Sequence, residues 1–152
     1  MKLIFSLLLV CALFGCTNKK QEPAKAALEA EKAKQEAEAK MQENEVNALG
    51  TLRSIRSRQI IFQEKDESHR YGTLEQLVKA KLLSEDLAAG KKQGYLFKTK
   101  PTKGQEEYFW TATATPVKPG ETGTRHFFVD QTGVIRFSTE GPANEKSTVD
   151  KH

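Results

Sequence analysis

Gly123-Thr124-Arg125-His126-Phe127-Phe128-Val129-Asp130-Gln131-Thr132-Gly133-Val134-Ile135-Arg136-Phe137 is the stretch from which the fold is read most directly. Two runs rich in aromatic and β-branched residues, His126 to Val129 and Val134 to Phe137, flank Asp130-Gln131-Thr132-Gly133. Such runs around a turn that ends in glycine form a hairpin, the glycine supplying a positive φ that a Cβ resists. The same period of two recurs upstream in Tyr95-Leu96-Phe97-Lys98-Thr99 and in Tyr108-Phe109-Trp110-Thr111-Ala112-Thr113-Ala114-Thr115. Pro116, Pro119, Gly120 and Gly123 mark a surface loop before the quoted stretch. Four short strands in succession predict an antiparallel meander, with His126 on the solvent face of its strand. From Gly141 to His152 no apolar period remains, so residues 139–152 are expected to be a disordered tail.

Before the strands the period lengthens. Val46, Leu49, Leu52, Ile55, Gln59 and Phe62 recur every three or four residues, the stripe of a helix that runs through Gly50 to about Glu64. After the polar break Asp66 to Arg70, Thr73 with Gln76 forms a capping box for a short helix over Leu74 to Leu83, and Ser84 is placed to cap one further turn ending at Gly90. The fold class is therefore α+β: a long N-terminal helix packed on a small four-strand antiparallel sheet, with the head over residues 47–138.

The segment 23–46 has another character. Ala24, Ala26, Ala27, Ala30, Ala33, Ala37 and Ala39 alternate with lysines and glutamates, nearly all strong helix formers, behind a proline suited to a first helical turn. Pairs such as Lys25/Glu29, Lys32/Glu36 and Lys34/Glu38 support a helix without tertiary contact. Leu28, Met41 and Val46 are too few for a conventional coiled-coil seam, although Ala26, Ala30, Ala33 and Ala37 have the spacing for close alanine-mediated pairing. A solvated spacer, its charges exposed, is the reading preferred to self-association. Fully helical, it would span roughly 40 Å at 1.5 Å per residue.

Ahead of the spacer, Met1-Lys2 and the apolar run Leu3 to Gly15 have the layout of a signal peptide for residues 1–15. Thirteen residues fall short of the about 20 a membrane-spanning helix needs. Leu13-Phe14-Gly15-Cys16 resembles the bacterial lipobox, with Phe14 departing from the small or hydroxyl residue usual there. The resemblance implies cleavage before Cys16, lipidation of its thiol with diacylglycerol and acyl chains such as palmitate, and a tether over 16–22. Thr17, a residue other than Asp after the lipidated cysteine, implies outer-membrane sorting where the organism has one. The expected location is the cell envelope, with the membrane as partner through the lipid on Cys16 and envelope proteins as further partners.

Composition narrows the function further. The chain has 152 residues, a mean hydropathy of -0.60 and a net charge of +4 from 24 basic against 20 acidic residues, an excess too small and too mixed for a nucleic-acid footprint. Cys11 and Cys16 are the two cysteines, so the remaining 136 residues hold no disulfide or thiolate metal site. No G-x-S-x-G elbow or phosphate loop occurs, and His69 near Asp66 and Glu67 lacks the spacing of a helical two-histidine metal motif. The expectation is a protein that is not an enzyme, with no catalytic residues, no metal and no cofactor. Tyr108, Phe109, Trp110, Phe127, Phe128 and Phe137 read first as core; the second reading is an interaction patch made of Phe109, Trp110 and Phe128 that recognises a peptide or glycan.

Asn47 to Ile55, Tyr71-Gly72-Thr73-Leu74-Glu75-Gln76-Leu77, Gly94-Tyr95-Leu96-Phe97 and above all Gly123 to Arg136 resemble the globular heads of type IV pilins and type II secretion pseudopilins. The resemblance covers about 47–137 and implies an N-terminal helix packed on an antiparallel sheet. It does not extend to the hydrophobic helix with which a pilin polymerises: a lipobox and an Ala/Glu/Lys helix stand there instead, and charges at nearly every second position cannot enter an apolar filament core unpaired.

Overall fold

The computed structural model describes residues 22–151. Two helices and six strands follow one another: α1 Glu22–Lys65, α2 Leu74–Lys79, a single 3-10 turn Glu85–Leu87, then β1 Lys91–Lys92, β2 Tyr95–Pro101, β3 Trp110–Pro116, β4 His126–Asp130, β5 Arg136–Ser138 and β6 Thr148–Val149. Every strand pairs antiparallel with the next, in the order β1-β2-β3-β4-β5-β6. Two compact units divide the chain, residues up to Gln35 and from Glu36 onward. In the first, Ala24 to Gln35 are helical and exposed.

In the second unit α1 lies on one face of the sheet. Ala48, Leu49, Leu52 and Ile55 are 0 to 5% exposed and share a core with Tyr95 and Phe97 of β2, Ala112 and Ala114 of β3, and Phe127 and Val129 of β4. Burying each Leu or Ile contributes about 1.5–3 kcal/mol. The register puts Phe97 opposite Ala114 and Ala114 opposite Phe127, so a small side chain in the central strand sits between two phenyl rings on the helix side. The other face carries Leu96, Lys98, Lys100, Thr111, Thr113 and Phe128, following the period of two.

The packed stripe starts earlier than its apolar residues indicate. Asn44 and Glu45 are buried and Val46 is 64% exposed. At about 100° per residue Val46 points some 120° away from Leu52, whereas Glu45 points within about 20° of it. Gln59, fully buried, replaces a hydrophobe on this stripe for a reason: its Nε2 donates to the Gly72 carbonyl at 2.7 Å and its Oε1 accepts from the Gly72 amide at 2.9 Å, satisfying a buried turn completely.

The capping box at Thr73 and Gln76 is formed, with both reciprocal hydrogen bonds. α2, however, stops at Lys79, short of Leu83. Lys81 adopts φ 57°, its amide bonds the Val78 carbonyl and the Leu82 amide bonds the Leu77 carbonyl, a Schellman ending built on lysine where glycine is usual. The hairpin turn is formed as expected: the Gly133 amide donates to the Asp130 carbonyl and Gly133 has φ 75°. A Cβ there would meet Arg56 Cδ at 3.2 Å. Gly133→Val should lower the melting temperature by roughly 5 to 10 °C, read by circular dichroism, since the turn strain and the displaced Arg56 cost about 1–2 kcal/mol.

Three expectations are corrected. The sheet has six strands and not four, because β1 and β6 are two-residue strands held by backbone pairing, too short to show an alternation. The segment expected to be disordered is ordered up to residue 151, with Ala143 buried, β6 paired to β5 and the Asp150 side chain 2% exposed. His126 is buried, not solvated, though it does lie on the face away from Phe127.

Candidate functional site

Cys16 lies outside the described residues. Of the three aromatics expected to form a patch, Trp110 is 2% exposed and packs tilted against Tyr71 with ring centres 5.9 Å apart, and Phe128 is 7% exposed on the opposite face of the sheet. Alternation separates them: Trp110 faces α1 while Phe128, opposite Thr113, faces away. The expected patch is therefore not one surface. Phe109 is 41% exposed and pairs instead with Tyr108, 65% exposed, at 6.4 Å between ring centres. Tyr108 ends the turn Thr102 to Tyr108 before β3, where no core position constrains it.

A hollow of about 300 Å³ opens where α1 ends. Phe62 and Tyr71 give it an aromatic wall; Asp66, Arg70, Lys100, Lys103 and Glu106 give it charge of both signs. The Arg70 amide and guanidinium both bond Asp66, and the amide first of all holds that carboxyl below its usual range. The Gly104 amide does the same for Glu106. Both acids are thus ionised and already engaged, which suits holding a polar molecule and does not suit proton transfer near neutral pH. The Thr99 hydroxyl, buried at the edge of the hollow, has no hydrogen-bond partner among the described residues.

The strongest electrostatic feature joins α1, the loop before β4 and the C-terminal segment. Glu45 Oε1 accepts from the Thr124 amide at 2.7 Å, the Thr124 hydroxyl at 2.8 Å and the Arg125 amide at 3.1 Å; Oε2 accepts from Arg125 Nε at 2.6 Å. Arg125 reaches Asp150 at 3.5 Å and lies over the rings of Phe127 and Phe137, 5.1 and 5.4 Å from their centres. Burial alone would raise the Glu45 pKa, but the donors from Thr124 and Arg125 outweigh it and hold the carboxyl below its usual range. Glu45, Arg125 and Asp150 were not singled out from the sequence: up to 105 positions separate them, and Glu45 looks like one more acid of the spacer.

His126 Nδ1 is buried without a partner, and burial holds the imidazole below its ordinary pKa. His69 sits in a loop at φ 51°. Among the described residues neither imidazole bonds a serine or threonine, and no three His, Cys, Asp or Glu side chains are grouped to hold a metal. Among the described residues no helix is long and apolar enough to cross a membrane. Comparisons with protein families, with curated proteins and with solved structures find no match.

Proposed function

We propose that the protein is a lipid-anchored envelope protein whose pilin-like head serves as a non-enzymatic structural or interaction module. The observation that carries the reading is the contrast along α1. Its side chains from Ala24 to Lys40 are all exposed, whereas Ala48 to Gln59 bury one stripe on the sheet. An exposed charged helix suits an aqueous tether and is unsuited to the apolar core of a filament. The lipobox-like Leu13-Phe14-Gly15-Cys16 supplies the anchor, two or three acyl chains making attachment effectively permanent where one is marginal. The engaged state of Asp66, Glu106 and Glu45 supports a role in holding rather than in turnover.

A second reading, a small extracytoplasmic protein that binds a peptide or glycan, is favoured by one observation: the exposed Tyr108 and Phe109 pair. Aromatic rings with a polar handle are common at recognition surfaces.

Fractionation tests the main reading. With Cys16→Ala the protein should leave the membrane fraction or accumulate as the uncleaved precursor, and metabolic labelling by a fatty acid should vanish. Label retained on the Ala variant would refute the anchor.

A further inference from the structure

Between Lys79 and Lys103 the chain carries seven lysines against two acids, Glu85 and Asp86. The fold places three of these lysines together. Lys91 is opposite Leu96, Leu96 opposite Thr115, Lys98 opposite Thr113 and Lys100 opposite Thr111, so all share the sheet face away from α1. Phe109, one alternation before Thr111 and bonded through its carbonyl to the Thr102 amide, extends this face at the β2–β3 turn. Leu96 is 39% exposed and Phe109 41%. Among the described residues Lys91, Lys98 and Lys100 form no ion pair: Asp86 pairs with Lys92, and Asp130, which lies opposite Thr111, is capped by the Thr132 amide and hydroxyl and not by a lysine. Two acids lie at the margin of this face without pairing its lysines: Glu106, which shares the hollow at the end of α1 with Lys100, and Glu75, which lines a second hollow with Leu96, Lys98 and Lys100.

We propose that this face, Lys91, Leu96, Lys98, Lys100 and Phe109, docks on a phospholipid surface bearing anionic headgroups. A row of unpaired cations flanking exposed apolar side chains matches the boundary between headgroups and acyl chains, where lysines meet phosphate and aromatic rings sit at headgroup depth. The cations that β1 and β2 place on this face are all lysine. A protein interface selects arginine, whose fork fits a carboxylate, and is depleted in lysine, whereas a hydrated point charge on a flexible stem suits a diffuse field of headgroups. The surface deepens the envelope reading but does not depend on Cys16: it specifies how the head meets a bilayer, not how the chain is attached.

The test uses the full chain in vesicles of phosphatidylcholine with or without phosphatidylglycerol, treated with a membrane-impermeant acylating reagent, modified lysines being read by mass spectrometry. Lys91, Lys98 and Lys100 should be protected several-fold in the anionic vesicles at low salt, Lys118 in the β3–β4 loop should label equally in both, and high salt should remove the protection. Replacing all three lysines by Gln should weaken vesicle binding of the Cys16→Ala chain roughly 100-fold, at about 0.7 of a decade per charge. Equal labelling in the two vesicle types would overturn the proposal. Protection that appears only when envelope proteins are added would overturn it in favour of an acidic protein partner. Protection that persists for Cys16→Ala with the anionic vesicles supports the surface even if the lipid anchor proves wrong.

Discussion

Gly123→Ala should unfold much of the head's stability, lowering the melting temperature by roughly 15 °C. A Cβ built at Gly123 falls 2.1 Å from the Tyr95 hydroxyl oxygen, 2.7 Å from Cζ and 2.9 Å from Cε2. The ring has nowhere to go: Tyr95 is fully buried, tilted against Phe97 at 6.5 Å and Phe127 at 6.0 Å. Its hydroxyl donates to the Arg125 carbonyl at 2.9 Å, and burial holds the phenol above its usual pKa, so it stays neutral and donating. Overpacking of this kind costs about 1–3 kcal/mol, and separating the buried hydroxyl from its carbonyl costs about 1–3 kcal/mol more. Set against the 5–15 kcal/mol typical of a domain, the sum of about 4 kcal/mol is severe. Tyr95→Phe removes the nearest atom, so the double variant should melt above Gly123→Ala alone. A Gly123→Ala protein that melts within about 2 °C of wild type would mean that the loop does not cross Tyr95 as described.

Glu45→Ala should be comparably damaging. The Glu45 side chain is 9% exposed and that of Arg125 24%. Removing the carboxylate strands the Thr124 amide and hydroxyl and leaves the Arg125 guanidinium with only the longer 3.5 Å pair to Asp150. Breaking a buried pair costs about 3–5 kcal/mol; the partial exposure of Arg125 brings the expectation to about 2–4 kcal/mol. Replacement of both partners by hydrophobes should restore little of the loss, because Asp150, whose side chain is 2% exposed, then loses Arg125 at 3.5 Å.

The pH dependence follows from the same contact. The folded carboxyl binds its proton below its ordinary value of about 4.5, so the native state holds fewer protons than the unfolded chain around that pH. The contribution is complete above 4.5 and is lost as pH falls through the lower folded value. Glu45→Ala should flatten this acid limb of the stability curve; an unchanged limb in chemical denaturation would place the pH sensitivity elsewhere.

Periodicity carried the fold wherever burial is one-sided and the element is long. Leu49, Leu52, Ile55 and Gln59 fix the face of α1, and the alternation of Tyr95, Phe97, Ala112, Ala114, Phe127 and Val129 fixes the inner face of the sheet. It failed where backbone pairing, not side-chain burial, makes the element. Lys91-Lys92 and Thr148-Val149 form strands without a buried residue, so nothing in their composition announces them. A run that is apolar throughout is ambiguous for a related reason. His126 to Val129 is buried on both faces, and the helix covers only the face of Phe127 and Val129.

Long-range electrostatics was hidden more completely. Arg125 follows Gly123-Thr124 like any loop arginine, and only the fold brings Glu45 from the helix and Asp150 from the C-terminal segment to it. Of the three aromatics expected in the patch, Trp110 and Phe128 are buried on opposite faces and Phe109 is exposed. Tyr108 and Phe109 are exposed where Trp110, the next residue, turns inward onto Tyr71.

The proposed attachment of this head to the envelope by lipid at Cys16 is open to direct measurement. Mass spectrometry of the mature protein isolated from membranes tests it most directly. The expected chain begins at Cys16, its N-terminal peptide heavier by a thioether-linked diacylglycerol. A mature protein that begins at any other residue, or carries Cys16 unmodified, would contradict it.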